Sequence, residues 1–228
     1  MNRIVLALIP AALIFSHLLG FLANIKDKQD IEQLRSFAAG FSVGYVFLIL
    51  IPDVYSFPEI PLLPPTALTL LGFIFFHLSH KFVFQIRDVE AHKIALLDEI
   101  HLLTAGLYNF LISFTLVELM KIKPLEAFIV AVILTLHTIL VDITHAETSR
   151  RIPNYLKVAI IFMATLMGGA FAIFELLNSV TTTILFSLTA GAIIYISIRE
   201  EIPNDTKGNP ALFLLGAGII LAIVVILL

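Results

Sequence analysis

The chain alternates between long apolar runs and short polar breaks. Eight runs can be marked, at about 3–25, 34–51, 62–84, 96–120, 124–147, 153–178, 180–198 and 209–228. Each is close to the ~20 residues an α-helix needs to cross ~30 Å of hydrocarbon. Their apolar positions are continuous rather than alternating in twos. They therefore predict membrane-spanning helices and not the strands of an outer-membrane barrel. The first run has a single basic residue, Arg3, ahead of it and no small-x-small cleavage site, so it reads as a span rather than a secretory leader.

Composition points the same way. The sequence is 59% hydrophobic and 14% charged, whereas a soluble domain is about half apolar and about a quarter charged. The expectation is one transmembrane domain over residues 1–228, all-α and multi-pass in the lipid bilayer. The absence of cysteine excludes disulfides and thiolate metal sites. No basic patch suggests nucleic acid.

Lysine and arginine set the expected sidedness. With eight spans, the odd-numbered connections carry Lys26, Lys28, Arg35, Lys81, Arg87, Lys93, Arg150, Arg151, Lys157, Arg199 and Lys207. The opposite side has Arg3, Lys121 and Lys123. Positive charge collects in the cytoplasm, so both termini are expected on the non-cytoplasmic side.

Two stretches repeat each other. Residues 38–53 read AAGFSVGYVFLILIPD and residues 189–204 read TAGAIIYISIREEIPN. Each is followed by a short polar loop and an apolar run containing Leu-Leu-Gly, at 70–72 and 214–216. Span 2 runs outward and span 7 inward, so spans 1–3 and 6–8 are expected to be inverted copies around a central pair, spans 4–5. Transporters built on inverted repeats bind their substrate near the midplane, where the repeats meet.

Polar chemistry concentrates on that central pair. Asn109 and His137 lie about halfway along spans 4 and 5, with Ser113 one turn from Asn109 and Tyr108 beside it. Nearer the expected cytoplasmic face, Asp98 and His101 on span 4 and Asp142 and His145 on span 5 form two Asp-x-x-His pairs. On a helix, residues three apart share a face, so each pair offers a carboxylate and an imidazole in one direction. His77 and His80, at the inner end of span 3, form a further such pair. Carboxylate and imidazole suit a first-row divalent cation. The competing reading is a hydrogen-bonded pair of helices with a solvated polar rim. The small residues Gly168, Gly169, Ala170, Gly216 and Gly218 suit close packing within the bundle, or secondarily a homodimer.

With these features, the chain resembles the ZIP (Zrt/Irt-like) divalent metal transporters. The likeness rests on the Ala-Gly openings of spans 2 and 7, on Pro52-Asp53 and Pro203-Asn204 at their ends, and on Met167-Gly168-Gly169-Ala170 in span 6. It implies eight spans in a 3+2+3 plan, a divalent metal ion (zinc, iron or manganese) as substrate, and no organic cofactor. Of the family's span 4 motif, His-Asn-x-x-Asp/Glu-Gly, only Asn109 is matched. The span 5 motif matches in two ways: His137 falls on its first acidic ligand, or Asp142 and His145 match its acidic-x-x-ligand core. A span 6 carboxylate of the family falls near Thr165. The expectation is a transporter rather than an enzyme. A non-transporting metal sensor is the first alternative, and a metal-dependent intramembrane hydrolase the second.

Overall fold

The computed structural model describes residues 2–22, 28–56, 63–85, 90–145, 153–201 and 208–227. Among them the chain is all-helical. Helix α1 is Arg3–Leu22. Helix α2 runs as Lys28–Tyr45, passes through a π-helical turn at Val46–Leu50 and ends as Ile51–Ser56. Then come α3 (Pro65–Gln85), α4 (Glu90–Ile122), α5 (Pro124–His145) and α6 (Asn154–Ile173). Helix α7 is Ser179–Ile196 with a π-helical turn at Ser197–Glu201, and α8 is Pro210–Leu227. Five described stretches are long and apolar enough to cross a membrane: Arg3–Leu22, Glu32–Tyr55, Leu102–Ile122, Tyr155–Ile173 and Ser179–Arg199. Shorter apolar stretches lie on the other three helices, at Pro65–Ser79, Pro124–Ile139 and Pro210–Ile226.

Local chemistry sets the boundaries. Pro124 opens α5 at a position where the missing N–H costs nothing. Asn178 caps α7, its side-chain oxygen accepting from the Thr181 N–H at 2.9 Å. Helix α6 stops in a Schellman turn: the Leu176 N–H bonds the Phe171 carbonyl at 3.1 Å and the Glu175 N–H bonds that of Ala172 at 3.2 Å. Glu175 takes the left-handed position there, with φ 54°. Lys121 adds a cation to the same helix end, its Nζ donating to the Ala172 carbonyl at 2.6 Å.

Helix α4 is the axis of the bundle. Phe114, Leu116 and Val117 on it are almost fully buried, together with Val130 on α5 and Phe186 and Ala190 on α7. Helices α1, α6 and α8 turn large apolar side chains outward, among them Phe15, Met163 and Val225, as a lipid-facing surface requires.

Glycines fix the helix contacts. A methyl added at Gly40 would strike the Phe213 carbonyl, and one at Gly216 the Phe37 carbonyl, so α2 and α8 touch backbone to backbone. Gly72 faces the Leu188 carbonyl and Gly191 the Thr69 carbonyl, which joins α3 to α7 in the same way. The Ala-Gly of each repeated stretch thus lies on the Leu-Leu-Gly helix of the other. Both π-helical turns begin six residues after the Ala-Gly glycine, from Gly40 to Val46 and from Gly191 to Ser197. Pro52 accounts for the first, because a proline lacks the N–H that would close the preceding α-turn. The flanking pairs match as well: Gly168 on α6 abuts the Phe110 carbonyl of α4, and Gly20 on α1 abuts Ile139 and Asp142 of α5.

Candidate functional site

The buried face of α1 is Leu6, Ile9, Pro10, Leu13, Ser16, His17 and Gly20. That spacing of three and four is one stripe of a helix, and His17 is its sole ionisable member. Hydrophobic neighbours therefore carry an imidazole into the bundle, where it meets α4 and α5. His17 Nδ1 lies 2.7 Å from Asp142 Oδ2, and His17 Nε2 lies 2.6 Å from Asn109 Oδ1. The result is a chain of carboxylate, imidazole and amide across three helices, with His17 6% and Asn109 8% exposed.

Gly20 makes the junction geometrically feasible. A side chain there would begin 2.7 Å from Asp142 Cβ and 3.1 Å from the Ile139 carbonyl oxygen, pushing α5 away from His17. The amide of Asn109 is oriented by its other end, since Nδ2 donates to the Ala105 carbonyl at 2.9 Å. That leaves Oδ1, an acceptor only, facing the imidazole. An ionised Asp142 is also acceptor-only. A hydrogen on either ring nitrogen donates to the oxygen it faces.

His137 is separate from this chain. Five residues separate it from Asp142, so the two side chains point roughly 140° apart around α5. His137 Nε2 instead approaches the Tyr108 hydroxyl of α4 at 3.5 Å, with the rings edge to face at 6.2 Å. Ser113 Oγ is fully buried beside Gly169, with no hydrogen-bond partner among the described residues. His77 stacks with Phe73 and meets Tyr195 edge-on, within the α3–α7 contact. His80, Asp98, His101 and His145 stand on α3, α4 and α5, but their side chains lie outside the described residues. Thr165 is buried, its hydroxyl donating to the Ile161 carbonyl of its own helix. Among the described residues no group of three or more His, Asp or Glu side chains converges as a metal cage would require.

A second polar cluster sits at the other end of α5. Lys123, the single residue between α4 and α5, places Nζ 2.5 Å from Asp53 Oδ1 and 3.1 Å from Glu126 Oε2. Asp53 is 5% exposed. Burial pulls the lysine ammonium down, but the hydrogen bond to Asp53 and the neighbouring charge of Glu126 more than reverse this and hold its pKa above the ordinary lysine value.

No protein-family model matches the chain, and no curated protein matches it either.

Proposed function

We propose that this is a membrane transporter of divalent metal ions built on a ZIP-like plan of eight spans. The observation that carries the reading is the Asp142–His17–Asn109 chain. A carboxylate and an imidazole inside an apolar bundle are costly to insert, and such groups mark ion pathways by default. One carboxylate oxygen of Asp142 and Nδ1 of His17 suit a borderline first-row cation such as zinc, iron or manganese, while Asn109, on the ring's other nitrogen, would orient the imidazole rather than ligate.

The inverted 3+2+3 arrangement draws support from the glycine contacts. Exchange the two halves, and α2 on α8 becomes α7 on α3, while α4 on α6 becomes α5 on α1. Tyr108 and His137, as far apart in sequence as Phe110 and Ile139, then face each other, as equivalent residues beside a two-fold axis do. The same exchange carries His17 and Asp142 onto the buried hydroxyl residues Thr165 and Ser113, so one half holds ionisable groups where the other holds none. The three basic residues of the smaller set gather at one end: Arg3 over the Phe174 ring, Lys121 on Ala172 and Lys123 on Asp53. This agrees with both termini on the non-cytoplasmic side.

The donors do not yet have ligand spacing. Two ligands of one tetrahedral zinc stand about 3.3 Å apart, so Nδ1 of His17 and Oδ2 of Asp142 must separate by roughly half an ångström to admit it. Purified protein in liposomes with a trapped fluorescent metal indicator should take up zinc, iron(II) or manganese(II). His17→Ala and Asp142→Asn should each reduce that uptake by at least about tenfold. Uptake unaffected by either change would sink the assignment of this site. A second reading, a ZIP-like protein that binds a metal without moving it, is favoured by the lack of a three-ligand cage among the described residues. Tight metal binding without uptake would establish it.

A further inference from the structure

We propose that Lys123 is a latch that closes the end of the bundle between α2 and α5. Three observations place it there. Its ammonium bridges two carboxylates on different helices, Asp53 at the end of α2 and Glu126 in the first turn of α5. Lys123 is the residue at which α4 gives way to α5: its N–H donates to the Leu119 carbonyl of α4 at 2.7 Å, and its carbonyl accepts from the Ala127 N–H of α5 at 3.0 Å. Asp53 owes its position to the π-helical turn ahead of it, which re-aims the last turns of α2.

The face of α2 turned away from α8 runs inward from the latch, and Ser42 lies eleven residues from Asp53 along the helix, about 16 Å at 1.5 Å per residue. Gly40 and Gly44 point at α8; Ser42, two residues from each, points the opposite way at 100° per residue. Ser42 and Tyr45 are both buried there, and Tyr45 lies within electrostatic reach of both Asp53 and Glu126. A cation entering at this end meets two carboxylates already paired with the single ammonium of Lys123. Releasing the lysine on its flexible stem uncovers them without moving a helix. The lysine pKa is raised, so its ammonium is charged below the ordinary lysine value and its charge is lost as pH climbs through the higher folded value. A cation that competes for the carboxylates releases the latch. Its purpose rests on the transport reading; the closure itself does not.

The chain has no cysteine, so a single Ser42→Cys reports access directly. In full-length protein in detergent, labelling of that cysteine by a charged maleimide should be slow with Lys123 or Lys123→Arg. It should quicken by about tenfold or more with Lys123→Gln or Asp53→Asn, as expected for loss of a charged hydrogen bond. Equal rates in all four backgrounds would overturn the latch. So would an equal rise at Ser187→Cys, buried on α7, because the bundle as a whole would then have loosened. Faster Ser42→Cys labelling in a protein that takes up no metal would leave the latch standing and remove the transport reading. Metal uptake with unchanged labelling would do the reverse.

Discussion

At the scale of single residues, the site depends on one histidine that stands alone in its run. Asn109 and Asp142 are legible in the sequence because polar groups on spans 4 and 5 are dense enough to draw attention. His17 is not, although the signal was present: it is the lone ionisable residue between Arg3 and Lys26 and falls on the apolar stripe of α1. Sequence spacing suggests partners along one helix, whereas the contacts of His17 cross to two others. Gly20 is the positioning residue that follows from this. On the proposed transport function, Gly20→Ala should weaken metal uptake by displacing Asp142 from His17, with Gly20→Ser no better, measured in the liposome assay beside wild type. Glu175 gives the opposite kind of test. A non-glycine residue at φ 54° closes α6, so Glu175→Gly should raise stability by about 0.5–1 kcal/mol, read as a higher unfolding midpoint in detergent.

Helices were the easier part to read. Among the described residues each of the eight runs falls on a helix, five of them long and apolar enough to cross a membrane, since a continuous apolar stretch about 20 residues long has few alternatives in lipid. Their ends were harder, because they are set by capping geometry that hydropathy does not register. Span 6 was expected to reach residue 178, yet α6 ends at Ile173 in the Schellman turn. The π-helical turns also escape a hydropathy reading, although Pro52 and Pro203 mark where the backbone loses a donor. Glycine contacts make the helix pairing testable. Gly40→Leu or Gly191→Leu drives a side chain into a neighbouring backbone carbonyl and should cost about 1–3 kcal/mol or more by overpacking. Gly218→Leu, where an added Cβ would meet no other part of the described structure within 4 Å, should leave the unfolding midpoint within experimental scatter of wild type.

For the molecule as a whole, the repeat was visible as wording but the exchange of partners was not. Small residues permit close approach to any helix, so sequence alone leaves open which one they meet. Among the described residues the glycine faces pair across the two units rather than within them: α2 waits for α8, and α3 for α7. That arrangement has a consequence for biogenesis. While the ribosome is still threading the first five helices into the membrane, the glycine faces of α2 and α3 have no docking surface and stand open to lipid and to quality-control proteases. Cut between His145 and Pro153, the amino-terminal fragment expressed alone should be degraded, and co-expression of the carboxy-terminal fragment should rescue it. The two pieces should then co-purify as one particle, a product that self-sufficient halves would not need to form.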